Sequence, residues 1–296
     1  MRVKDAALLV LLAALWGGSF IFIRIAAPVF GPVLLVELRV AIAAMALFAY
    51  MAVIGQRPRL FHRWRAYLVL GAVNAALPFC LISTAELTLN ASWAAILNAT
   101  TPLFAALVAY RWNGDPLEAR KVSGLALGIV AVAVLVGGGG AAIDPKLLVA
   151  VVLSLGGALF YAIGGVLAGK TLKGEAPLDL AFGQQLVAAV LLAPVTLASL
   201  PARAPTVEAV AAVVALALAC TALAYLLYFQ LIKQIGAVKT LGVTYLVPAF
   251  GVLWSWAFLG EQIRIGTFLG LAMILLSVGL VAGQSMRLPR IRRNYQ

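Results

Sequence analysis

Ten apolar runs, each long enough to cross a bilayer as a helix, constrain this chain more than any other feature. They fall at about 6–26, 33–54, 66–86, 91–110, 121–137, 147–168, 179–199, 208–231, 238–258 and 266–285 of the 296 residues. Lipid offers no partner to an unpaired backbone amide or carbonyl, and runs of this length do not suit barrel strands, so each is expected to be a helix. Turn-forming residues separate them: Pro28 and Pro32, Gly55 to Pro58, Gly114 to Pro116, Gly137 to Gly140, Gly174 to Pro177, and Pro201 to Pro205. With 64% hydrophobic and 11% charged residues, the chain holds more apolar surface than a water-soluble interior of this size can hide. The expected fold class is an all-α membrane protein with ten transmembrane helices embedded in the lipid bilayer. Its connections are too short for a separate catalytic domain. The first run is longer than a signal-peptide core and is read as a retained span.

A net charge of +12 does not indicate nucleic-acid binding, because the basic residues lie in short blocks between spans. On one side of alternate connections stand Arg2, Lys4, Arg57, Arg59, Arg63, Arg65, Arg111, Arg120, Lys121, Lys170, Lys173, Lys233, Lys239, Arg287, Arg290, Arg292 and Arg293, 17 of the 22 Lys and Arg. The positive-inside rule then makes both termini cytoplasmic. Cys80 and Cys220 lie inside apolar runs, without the spacing of a metal site or a disulfide framework. The single histidine, His62, sits among arginines in a connection. No metal, cofactor or enzymatic chemistry is expected from such a set.

The two halves align at an offset of 146. Pro102 falls on Pro248, Phe104 on Phe250, Leu107 on Leu253, Gly114 on Gly260, Asp115 on Glu261, and Gly124-Leu125-Ala126 on Gly270-Leu271-Ala272. Each half carries five spans, an odd number, so the copies are expected upside down relative to one another. The expected units are five-helix repeats at 1–141 and 142–286, with a basic cytoplasmic tail at 287–296. Inverted repeats are the architecture of secondary transporters, with the substrate site at the repeat interface near the midplane.

Several faces are candidates for lining that site. Span 4 aligns Asn98 and Thr101 with small residues, and its mate, span 9, presents Thr244. Span 8 aligns Thr221, Tyr225 and Tyr228; span 3 offers Phe79, span 6 Tyr161, and span 1 Trp16 and Phe20. Converging, these faces would make an aromatic chamber with a few hydroxyls and amides, suited to a flat apolar side chain and a polar head. The same stripes also suit ordinary helix packing. Pro102 and Pro248 each remove a donor in mid-span and are candidate kinks or hinges. Glu37, Arg39 and Glu86 are candidate coupling charges, all placed toward the outer side, where snorkelling or a structural ion pair competes with a functional role. No Lys or Arg is expected near mid-span.

Trp16-Gly17, Arg39, Pro102-Leu103-Phe104, the run from Tyr245 to Phe250, and Gly260-Glu261 together resemble the drug/metabolite transporter superfamily. Within it the chain is similar to the EamA-type ten-helix exporters, over essentially its whole length, and most like the YddG-type aromatic amino-acid exporters. The resemblance implies a carrier in the bacterial inner membrane that works by alternating access, needs no cofactor, and exports aromatic and other hydrophobic amino acids. It adds Tyr245 to the candidate substrate-binding residues, and a monomer is the expected state. A multidrug exporter of flat compounds is the main alternative. Sugar-phosphate or nucleotide-sugar carriage would call for several central cations, and a membrane-embedded enzyme for a catalytic cluster that the chain lacks.

Overall fold

A computed structural model describes residues 2–138, 144–197, 204–240 and 242–282. The junction at 141/142, Arg203 and the tail at 287–296 lie outside the described residues. Those residues form helices and no strand: α1 Val3–Phe30, α2 Pro32–Val53, α3 Phe61–Ala85, α4 Ala91–Asn113, α5 Ala119–Gly138, α6 Pro145–Thr171, α7 Pro177–Leu197, α8 Val207–Ile235, α9 Val243–Leu259 and α10 Ile265–Ala282. All but α9 are long and apolar enough to cross a membrane, and α9 is preceded by a single turn, Ala237–Thr240. Large apolar side chains such as Met45, Val152, Phe258 and Phe268 point outward, as a lipid-facing surface requires.

The ten apolar runs thus appear as ten helices, with four local differences. Helix α1 continues to Phe30 with Pro28 inside it. Helix α4 is broken at Ala99 and Thr100 into Ala91–Asn98 and Thr101–Asn113. Pro102 therefore starts a helix instead of kinking one, in a first turn where its missing N–H has no intrahelical acceptor to lose. Span 9 is likewise divided, and Pro248 lies inside its longer part.

Exchanging the two halves reproduces the packing. Helix α1 packs on α9 and α8, as α6 packs on α4 and α3, while α2–α7 and α5–α10 map onto themselves. The α5–α10 pair shows this at atomic scale. A Cβ on Gly124 would meet Val281, and one on Gly270 would meet Leu135, the position that precedes Val281 by the repeat offset. Glycine allows these close approaches, which supply the dispersion contacts that hold helices together in lipid. Both acid-bearing connections also begin alike, with Gly114 at φ 73° and Gly260 at φ 65° ending α4 and α9 in the left-handed conformation that favours glycine.

Candidate functional site

The site is built around two widened helical turns. Helix α3 passes through a π-turn at Ala72–Ala76 and α8 through one at Leu218–Leu223, 146 residues on. A π-turn leaves a backbone group without its usual partner and rotates the following face. In α8, the Thr221 hydroxyl donates to the Leu216 carbonyl at 2.8 Å and accepts from Nε of Arg39 at 2.9 Å. In α3, Nδ2 of Asn74 donates to Oε1 of Gln184 on α7 at 2.7 Å. Each turn thus ties its helix to the second helix of the opposite half, α8 to α2 and α3 to α7. The repeat mate of Arg39 on α7 is Gln185, fully buried, with neither side-chain amide atom paired among the described residues.

Aromatic side chains surround these ties. The Arg39 guanidinium carbon lies 3.7 Å from the centre of the Phe79 ring, and Phe79 meets Tyr161 edge-on at 6.0 Å. Trp16 meets Tyr225 at 6.2 Å and Tyr228 at 5.4 Å, and Phe229 extends the group with 6.0 Å and 5.3 Å contacts to the same two tyrosines. Tyr161 and Tyr225 lie within electrostatic reach of each other and of Arg39, and Gln184 lies beside Tyr225. Trp16, Tyr161, Tyr225 and Tyr228 are only half-buried. Five helices, α1, α2, α3, α6 and α8, thus bring Trp16, Arg39, Phe79, Tyr161, Tyr225 and Tyr228 into one aromatic cluster holding a cation.

Other candidates lie elsewhere. Phe20 is buried at the crossing of α1 and α9, within 3.8 Å of a Cβ built on Gly251. Tyr245 packs toward α10 and its hydroxyl reaches the Val278 carbonyl at 3.4 Å, away from the aromatic cluster. The hydroxyl of Thr101 serves its own broken helix, donating to the Asn98 carbonyl at 2.7 Å, while Oδ1 of Asn98 is buried and unpaired. Thr244 is half-buried on α9.

Expectations for the three charges change in part. Arg39 neither snorkels nor forms an ion pair among the described residues; it is 6% exposed and reaches Thr221 at the middle of α8. The expectation of no cation near mid-span is therefore corrected: the long side chain points inward along α2 to a hydroxyl that the π-turn presents. Glu37 is half-buried, with Oε2 unpaired and Cys80 near it. Glu86 is fully buried just past α3; Arg24 donates to its backbone carbonyl, and its carboxylate oxygens have no hydrogen-bond partner among the described residues. The described ion pairs lie elsewhere, Arg2 with Asp5 and both His62 and Arg63 with Glu175. No group of three or more His, Cys, Asp or Glu among the described residues is arranged to hold a metal.

The two ends of the molecule differ. At one, Glu261 caps the start of α4, accepting from the amides of Ala91 at 2.7 Å and Ser92 at 3.1 Å and from the Ser92 hydroxyl at 2.7 Å. A carboxylate at a helix N-terminus meets both orphan amides and the favourable end of the dipole. The acid comes from one half and the amides from the other, so the bond fastens α9 to α4. At the opposite end the corresponding acid is Asp115, and the corresponding amides belong to Ala237 and Val238. Asp115 is exposed, without a hydrogen bond or ion pair among the described residues. There α4 is tied to α6 instead, with Nζ of Lys170 donating to the Trp112 carbonyl at 2.9 Å.

The EamA-like transporter family model matches this chain twice, over residues 4–137 and 148–283. The uncharacterized transporter YvbV of Bacillus subtilis (strain 168) is 26% identical over 287 residues, covering 96% of this chain and 93% of that protein. The uncharacterized inner membrane transporter YedA of Escherichia coli (strain K12) is 27% identical over 274 residues, covering 90% of this chain and 87% of that one. A solved crystal structure superposes with a TM-score of 0.69 at 20% identity, over 95% of this chain and 96% of that chain, which shows a shared fold. Two matched segments, one in each half and together spanning most of the sequence, place the chain among the transporters of the EamA-like family.

Proposed function

We propose that this transporter is a carrier of small amphipathic metabolites, foremost aromatic and other hydrophobic amino acids, working by alternating access between two inverted repeats, 1–141 and 142–286. One observation carries the carrier reading: an acid-to-helix clamp is made at the Glu261 end, and among the described residues no repeat-equivalent bond is made by Asp115. In an inverted repeat, exchanging the conformations of the halves would open the first clamp and form the second, giving access from the other side. The aromatic cluster between the halves supports flat apolar cargo, because such rings stack favourably and the amides and hydroxyls orient a polar head.

The lysine and arginine distribution supports a cytoplasmic location for the Asp115 end and both termini. The export direction is what the family resemblance implies, and the inner-membrane location named for YedA supports the choice of membrane. The test is uptake of labelled phenylalanine into proteoliposomes. Saturable uptake, competed by tryptophan and reduced at least about tenfold in Tyr225→Ala, is expected; the tenfold corresponds to losing about 1.4 kcal/mol of aromatic contact and hydrogen bonding. Saturable transport of flat cations with no competition by amino acids would replace this substrate class by a multidrug one.

A further inference from the structure

We infer that Arg39 anchors the anionic group of the cargo, and that the substrates are monocarboxylates carrying a flat apolar body. This inference rests on the carrier reading above and narrows its substrate class.

Taking a charge out of water is costly unless it is paired and hydrogen-bonded. Arg39 is buried, yet no carboxylate of the described residues lies within ion-pair distance of it. Its guanidinium carries five N–H donors, and Nε alone is engaged, by Thr221. The ring of Phe79 offsets part of the cost through its π face but accepts no strong hydrogen bond. The Nη groups are left with donors and no acceptor among the described residues. A planar fork of this kind matches a carboxylate in two parallel hydrogen bonds.

The acids of the surrounding helices do not fill that role. Glu37 is two residues away on α2 and has Cys80 beside it; Glu86 sits past the end of α3 beside Arg24 and within electrostatic reach of Arg39, yet beyond ion-pair and hydrogen-bond distance of its guanidinium. A dianionic phosphate would draw on several cations, and among the described residues the aromatic cluster holds Arg39, whose repeat mate is the neutral Gln185. The same substitution removes the two-fold symmetry of the site, so cargo binds in one polarity, with its anion at α2 and its body against Phe79, Tyr161, Tyr225 and Trp16.

Purified protein in detergent would be titrated with L-phenylalanine, 3-phenylpropionate and phenethylamine, following thermal stabilisation, since a ligand selective for the folded state raises Tm. Phenylalanine and phenylpropionate are expected to stabilise, and phenethylamine, which lacks the carboxylate, is not. Arg39→Gln should weaken phenylpropionate at least about tenfold, the scale of a charge-assisted hydrogen bond, with Arg39→Lys falling between. Ligand-free Arg39→Gln should stay folded with a Tm close to that of the parent, because no ion pair is lost and the neutral amide can still donate to Thr221. Equal stabilisation by phenethylamine and phenylpropionate, or unchanged phenylpropionate affinity in both variants, would overturn the inference. Saturable phenethylamine transport in proteoliposomes would then leave the carrier reading standing. If none of the three compounds binds or moves, the carrier reading for this substrate class fails and the anchor with it.

Discussion

Gly17 shows how a single hydrogen can set the geometry of a helix crossing. A Cβ at this position would lie 2.7 Å from Cβ of Phe250, 2.8 Å from the Gly251 nitrogen and 2.9 Å from the Val247 carbonyl, and backbone cannot retreat as a flexible side chain can. The close crossing of α1 and α9 that it allows also lets Nε1 of Trp254 donate to the Ala14 carbonyl at 3.0 Å, next to the turn of α1 from which Trp16 meets Tyr225. Gly17→Ala is expected to destabilise the protein by about 1–3 kcal/mol, the usual cost of overpacking, read as a lower Tm in detergent. An unchanged Tm would mean that the helices separate there without cost. The Trp16-Gly17 pair was legible in the sequence as a family motif, whereas its partners on α9, far along the chain, were not. Arg39 was visible too, but its depth was misjudged: counting from the end of a span locates a Cα, not where a six-atom side chain ends. Only the hydroxyl of Thr221 settles that.

At the scale of elements, the π-turns explain both what helical spacing found and what it missed. Counting by threes and fours aligned Thr221, Tyr225 and Tyr228 on α8, and in the fold Tyr225 and Tyr228 meet Trp16 while Thr221 meets Arg39. The same counting on α3 placed Phe79 and missed Asn74 on the facing side, because the extra residue of a π-turn rotates the preceding face by about 100°. A lone Asn within an apolar run was the available signal, and its partner Gln184 could not be paired with it from one sequence. Tyr245, which the family resemblance added to the candidates, packs toward α10 with its hydroxyl on the Val278 carbonyl, apart from the aromatic cluster. The prolines now separate in role. Pro102 opens the second part of α4, while Pro248 lies within α9, where its ring has no N–H to give to the helical ladder and crowds the preceding turn. If that weak point bends during transport, Pro248→Ala should lower the transport rate severalfold with expression and Tm preserved or raised. Equal losses of transport and expression would leave it a packing residue only.

For the whole molecule, the duplicated composition made the ten helices and their two-fold pairing legible, since hydropathy decides which segments enter lipid and an odd span count decides their relative orientation. The conformation was not legible, because Asp115 and Glu261 are equivalent by sequence and only the fold shows which of them is bonded. Glu261→Gln would replace a carboxylate acceptor of two amides and a hydroxyl with a neutral one, at a cost of about 1.5–3 kcal/mol to the closed end. That variant should shift the population toward access at the Glu261 end, read as faster labelling of a cysteine placed at Ser92. The most direct measurement is thiol cross-linking of two cysteine pairs that leave both acids in place: Ala91→Cys with Gln262→Cys at one end, and their repeat mates Ala237→Cys with Pro116→Cys at the other. Without substrate the first pair should cross-link and the second should not; under phenylalanine gradients of opposite direction the two yields should change in opposite senses. Both pairs cross-linking together, or yields that ignore substrate, would contradict alternating access through this chamber.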